Sequence, residues 1–261
     1  MKIKEVVTAL ERFAPLPLQE SYDNAGLQVG LTEKEEVSGV LLCLDVTEAV
    51  VDEAVRLGCN LIVAHHPLLF RGLKCIDGRT QVERCVAGAI RHGVAIYAAH
   101  TNLDNVRGGV NWRMAEMLGL QDVCFLQEQS GGVGGSGAIG RLPVAEQPLE
   151  FLGRVKHVFG VEALLRNEGP QRPVQTVALC GGAGEFLIDE AVAKGADVFL
   201  TGEMSYHRFF GREKDLWIGV LGHYQSERHV IGLLRDILSD VFPALPAHIT
   251  AVITNPIYYM V

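Results

Sequence analysis

The chain carries the same segment twice. Residues Leu42–His66 align without a gap to Leu179–Glu203, at a constant offset of 137, and eight of the 25 aligned positions are identical. Each copy reads as an apolar strand, a tight turn, a helix with acidic residues in its first turn, a glycine and a second apolar strand. Strands that are apolar throughout are covered on both faces, which is the signature of mainly parallel sheets layered with helices. Each copy is followed by one more apolar strand, ended by a histidine with a carboxylate four residues on: His100 with Asp104, and His223 with Glu227. Duplicated histidines and carboxylates suggest a pseudo-symmetric site, and such a site can hold two metal ions.

The chain has 261 residues and a net charge of −8. That length buries a sizeable core in one large domain or two smaller ones, and the duplication favours two. The acidic balance provides no basic footprint for nucleic acid, and no apolar run approaches the ~20 residues of a membrane helix. The N-terminus starts an amphipathic helix without a signal-peptide core. The six cysteines contain no Cys-x-x-Cys pair, and Cys43, Cys59 and Cys180 lie in or beside apolar strands. Buried reduced thiols and a cytoplasmic location are expected.

Periodicity predicts a helix over residues 2–13 and a loop over Ser21–Gly26. Strands are expected at Gly39–Leu44, Leu61–Ala64 and Val94–Ala99, and helices after Thr47, over Thr80–His92 and over about Val110–Leu118. The glycine-rich run Gly131–Gly137 lacks the Gly-Lys-Ser/Thr of a P-loop and reads as a linker or hairpin loop. Beyond it, strands are expected at Thr176–Cys180, Val198–Thr201 and Trp217–Leu221, with a helix over Glu185–Lys194. A further helix covers Arg228–Leu238, and a last strand, Ala247–Thr254, can return to the first sheet. The domains are expected at residues 1–125 plus 226–261, and at residues 126–225.

Ligands of parallel sheets bind beyond the carboxyl ends of the strands, where His65, His66, His100 and Asp104 fall. Adjacent residues of a continuing strand point to opposite sides, but Pro67 forces a turn that lets His65 and His66 face one cleft. Imidazole is a common ligand of Zn, Fe, Mn and Co. Asp104 and Glu227 share a face with the preceding histidines if the chain turns helical there, and a carboxylate can bridge two ions about 3.5–4 Å apart. The plain alternative for each carboxylate is helix capping. The second copy has Gly202-Glu203 in place of His65-His66, so the halves contribute unequally. Glu203 is open to ligation, substrate binding or capping. The Gly181–Gly184 turn is open to two readings, a tight strand-to-helix turn or a phosphate cradle.

Five segments in order, Ser21–Leu27, Ala64–Leu68, His100–Asp104, Thr201–Glu203 and Gly222–Glu227, resemble the Nif-three-like family, whose members are often labelled GTP cyclohydrolase I type 2 homologs. The resemblance runs from the first helix to the last strand. The stretch around residues 124–175 is short, which matches the bacterial form without an inserted domain. The resemblance implies two interlinked, pseudo-symmetric α/β domains with mainly parallel or mixed sheets covered by helices, and a dinuclear metal site in the cleft between them. It also implies a homo-oligomeric ring, often a hexamer. His66 and Asp104 would hold one divalent ion, His65 and His223 the other, and Glu227 would bridge both. His100 would stand beside the site, as a hydrogen-bonding neighbour or an occasional ligand, and Glu227 and His100 are the candidate proton carriers. The ions are open among Zn, Fe, Mn, Co and Ni.

The family label implies hydrolytic opening of the guanine imidazole ring of GTP. The broader expectation is a dinuclear divalent-metal-dependent hydrolase acting on a small nucleotide or related phosphorylated substrate. Its alternative is a non-catalytic metal-binding or adaptor protein. No nucleic acid and no membrane are expected as partners.

Overall fold

The computed structural model describes residues 1–30, 35–129 and 131–260, and the chain divides into two compact units. The first comprises Met1–Leu103 and Val230–Pro256; the second comprises Asp104–His229 and the terminal residues from Ile257.

The first unit opens with helix α1 (Ile3–Phe13), which buries Ile3, Val6, Ala9 and Leu10 along one stripe. Strands β1 (Gly26–Val29) and β2 (Val40–Cys43), helix α2 (Glu48–Arg56), strand β3 (Leu61–Ala64), helix α3 (Gln81–Arg91) and strand β4 (Ala95–Ala98) follow. All residues of β2, β3 and β4 are buried, as their unbroken apolar sequences require. Thr47 and Thr80 cap α2 and α3, accepting hydrogen bonds from the backbone N–H groups of Val50 and Glu83. The first unit's sheet has the order β1-β4-β3-β2-β11, where β11 is Ala247–Ile249. It is parallel except for β1, which pairs antiparallel with β4.

The second unit contains helices α4 (Thr101–Asp104), whose last residue belongs to it, and α5 (Val110–Met117). Strands β5 (Gln121–Glu128) and β6 (Gly135–Glu146), helix α6 (Pro148–Phe159), and strands β7 (Leu165–Arg166) and β8 (Val174–Cys180) come next. Helix α7 (Ile188–Ala193), strands β9 (Val198–Thr201) and β10 (Trp217–Val220) and helix α8 (His223–Glu227) complete it. The sheet order is β5-β6-β8-β9-β10-β7, with β8, β9 and β10 parallel and the other pairings antiparallel. Helix α9 (Val230–Val241) returns to the first unit.

The sequence repeat is also a repeat of pairing. Val40 stands opposite Leu61 in the first sheet, and their counterparts Val177 and Val198 stand opposite each other in the second. Asn60 Oδ1 accepts a hydrogen bond from the Ser38 N–H at 2.9 Å. At the matching positions Asp197 Oδ2 accepts from the Gln175 N–H at 3.0 Å.

The copies part at the helix start. Where Thr47 caps α2, the second copy has Gly184, which has no side chain to offer. The expected helix over Glu185–Lys194 accordingly begins as a 3-10 turn, Glu185–Leu187, and becomes α-helical only from Ile188. The glycine-rich run lies in and before β6, in the hairpin of β5 and β6. None of the six cysteines forms a disulfide, and Cys43, Cys59, Cys85 and Cys180 are buried.

Candidate functional site

In the first unit, β3 runs into His65 and His66, whose N–H groups continue the ladder to Cys43 O at 3.2 Å and Leu44 O at 2.9 Å. The turn at Pro67 then ends it. The two rings, 5.0 Å apart between centroids, lie 5.3 and 5.5 Å from the ring of His100, which follows β4. Each of the three offers a ring nitrogen, and these atoms lie within 4.8 Å of one another.

Every one of these rings is held through Nδ1 by an oxygen. His65 Nδ1 is 2.7 Å from the Ala99 carbonyl, His66 Nδ1 is 2.7 Å from Asp45 Oδ1, and His100 Nδ1 is 2.7 Å from Asp23 Oδ1. Carbonyl and carboxylate oxygens only accept, so Nδ1 carries the hydrogen and, in the neutral ring, Nε2 keeps its lone pair. Metal-ligating histidines are oriented in this way, the outer acceptor fixing the tautomer and raising ligand basicity.

The carboxylates are themselves tied down. Burial alone would raise Asp23, but hydrogen bonds from His100 and Thr101 and the nearby imidazole outweigh it and bring the carboxyl down to about 2. Burial of Asp45 is likewise outweighed, by His66 and by Thr254, whose hydroxyl donates to Asp45 Oδ2 at 2.7 Å. Asp45 therefore sits below the ordinary carboxylate range.

In the second unit, α8 sets His223 and Glu227 on one helical face, as their spacing predicts. His223 Nε2 is 3.0 Å from Glu227 Oε2, and its Nδ1 is 2.8 Å from Glu203 Oε1. Glu203 thus plays for His223 the part that Asp45 plays for His66. Glu227 is buried, and space for it is made by glycine: a Cβ at Gly182, which has φ +59°, would overlap Glu227 Oε1. Ser226 Oγ accepts from the Gly182 N–H at 3.0 Å and donates to the His223 carbonyl at 2.8 Å, which fixes the turn against α8. Asp104 ends α4, and its carbonyl accepts from Asn111 Nδ2 at 3.1 Å.

The Gly181–Gly184 turn is a strand-to-helix turn. The N–H groups of Gly181, Gly182 and Gly184 are taken by Asn111 Oδ1, Ser226 Oγ and Thr201 Oγ1 at 3.0, 3.0 and 3.1 Å. They are not presented to a phosphate.

Asp23, Asp45, Asn111 and Ser226 have no place in the sequence-derived ligand set. Asp23 lies inside the Ser21–Leu27 segment. Asp45 carries one faint signal, a carboxylate soon after a wholly apolar strand. The donors as they stand fit divalent transition metals: imidazole nitrogens of fixed tautomer, with carboxylates at hand.

The Lactococcus lactis protein named GTP cyclohydrolase 1 type 2 homolog is 34% identical over 265 residues, covering 99% of this chain and 99% of its own length. The protein of that name from Clostridium perfringens is 34% identical over 234 residues, 88% of each chain. Among solved structures, a Bacillus cereus protein related to NIF3 superposes with a TM-score of 0.90 at 26% identity, covering 100% of this chain and 99% of that one. The family model described as Duf34/NIF3 (NGG1p interacting factor 3) matches residues 1–256, and the chain belongs to that family.

Proposed function

We propose that this chain is a divalent-metal-dependent hydrolase acting on a nucleotide or a related phosphorylated compound, with ring opening of GTP as its specific form. His65, His66, Asp104, His223 and Glu227 would hold two ions. The observation that carries this reading is the orientation of His65, His66, His100 and His223, each bonded through Nδ1 to an oxygen acceptor. Fixing one ring nitrogen on an oxygen acceptor is how metal-ligating histidines are oriented, and in His223 the other nitrogen stands beside Glu227, itself one of the proposed ligands.

Bound divalent ions lower the pKa of water toward neutrality and so supply a nucleophile at ordinary pH. The chain's own part is positional and protolytic. Asp45 and Glu203 hold His66 and His223 in place. His100, with Nδ1 fixed on Asp23, keeps Nε2 to take up and return a proton. Glu227 is the second proton carrier. The relatives' printed name supports the GTP form of this reading, and we extend it to a hexameric ring of identical chains, which sedimentation analysis would test.

The decisive experiment joins elemental analysis of the purified chain to turnover of Glu227→Gln. About two ions per chain, with GTP hydrolysis abolished in a folded variant, is the expected result. Full activity of metal-loaded Glu227→Gln would reject the reading. The family description, which names a protein-interacting factor, favours a second reading, a metal-binding adaptor. That one predicts bound metal, no turnover on nucleotide panels, and a specific protein partner.

A further inference from the structure

Beside His100 stands the ring of Phe70, and beside Phe70 the ring of Tyr22. Tyr22 is 64% exposed and Phe70 is 46% exposed. Their ring centroids are 6.5 Å apart at an interplanar angle of 60°, and Phe70 lies 6.3 Å from the His100 ring, nearly perpendicular to it. Exposed aromatic side chains on free loops would mean little. These loops are bound to each other. Asn24 Nδ2 donates to the Leu69 carbonyl at 2.6 Å, the Leu69 N–H donates to Gln28 Oε1 at 2.8 Å, and Gln28 Nε2 donates to the Asn24 carbonyl at 2.6 Å. Asp23, between Tyr22 and Asn24, is the residue that orients His100. One short stretch therefore presents an aromatic ring, aligns an imidazole and anchors the loop that carries the second aromatic ring.

We propose that Tyr22 and Phe70 form a stacking corner for a planar heteroaromatic ring of the substrate, an inference that rests on the hydrolase reading above. The angle between the rings suits this use. A flat ligand laid on the face of one ring meets the other near its edge, and offset-stacked and edge-to-face arrangements are the two that aromatic quadrupoles favour. Stacking reads no hydrogen-bond pattern, since every base has a π-face. The corner therefore selects ligands that carry a ring over ligands that lack one, and leaves the choice among rings to other groups. Its pinned loops mean that little ordering is needed on binding.

Calorimetric titration of the metal-loaded full-length chain with GTP, neopterin monophosphate and the ring-less tripolyphosphate tests the corner. Tyr22→Ala and Phe70→Ala should each weaken GTP binding about tenfold or more. Tyr22→Phe and Phe70→Tyr should stay near wild type. Tripolyphosphate affinity and metal content should not change in any variant. Equal losses for GTP and tripolyphosphate would overturn the proposal, as would failure of both ring-bearing probes to bind wild type more tightly than tripolyphosphate. Altered sedimentation of the alanine variants with unchanged GTP affinity would also overturn it, and would assign the rings to contact with a second copy of the chain. Unchanged GTP affinity with metal-dependent hydrolysis intact rejects the corner alone. Absence of bound metal in the wild type rejects the hydrolase reading alone, because titration of GTP into the metal-free chain still measures the stacking.

Discussion

Gly182 leaves the space that Glu227 fills. A Cβ at position 182 would overlap Glu227 Oε1 and come within 3.5 Å of His223 Cε1. In the repeat, position 182 matches Asp45. One copy therefore places a carboxylate just beyond its first strand, and the other places a void that admits a carboxylate from α8. Gly182→Ala should displace Glu227 and strain a backbone already at φ +59°. We expect a folded chain whose metal affinity, measured by chelator competition, falls about tenfold or more, the scale on which groups that orient ligands act.

Asp45 touches His66 and Thr254 through different oxygens. Asp45→Ala removes the acceptor that fixes the His66 tautomer and is expected to cost about 10–100-fold in metal affinity. His66→Ala, by the same competition assay, should cost more. If Asp45→Ala bound metal as tightly as wild type, the orientation of His66 would be a packing feature.

Ser226 is fully buried and serves both the Gly182 N–H and the His223 carbonyl. Ser226→Ala leaves a buried N–H without its acceptor, at a cost of about 1–3 kcal/mol. A lowered urea midpoint with an unchanged slope is the expected observation.

Asp197 supplies the pH-dependent case away from the proposed metal donors. Burial pushes its carboxyl up, but the N–H groups of Thr176 and Gln175 and the guanidinium of Arg172 outweigh this and hold it below the ordinary carboxylate range. A native pKa below the unfolded one means that the ionised group stabilises the fold above the unfolded pKa, and that this contribution is lost as pH falls through the native pKa. Asp197→Asn should therefore be less stable by about 1–2 kcal/mol at pH 7. The difference should shrink in acid, as followed by denaturant melts between pH 7 and pH 3.

The parts legible in sequence were those written in local pattern. Strands β2, β3, β9 and β10 are buried along their whole length, so their sequences are apolar apart from the Thr201 that ends β9. The His–carboxylate spacing of His223 and Glu227 marks one helical face because both residues lie in α8. Strands β5 and β6 carry no such mark. β5 is mostly exposed, and β6 begins with glycines that read as a linker. Those glycines answer to crowding: a Cβ at Gly135 would overlap Gln127 O and Phe125. Asp23 and Asp45 were illegible as histidine partners for another reason. They stand 77 and 21 residues from His100 and His66, and no periodicity links residues that meet only when the start of β1 lies against the end of β4, or when β2 and β3 end side by side.

The place of β11 has a consequence for synthesis on the ribosome. Strand β2 lies at the interior of the first sheet only because β11, which follows it by about 200 residues, pairs beside it. Until residues 247–249 emerge, β2 presents an open, wholly apolar edge, a template for pairing with other nascent chains. The second unit, nearly all of it between Asp104 and His229, is translated before that edge can close. A chain stalled before residue 247 would thus combine a nearly finished second unit with a first unit whose sheet still has an open edge.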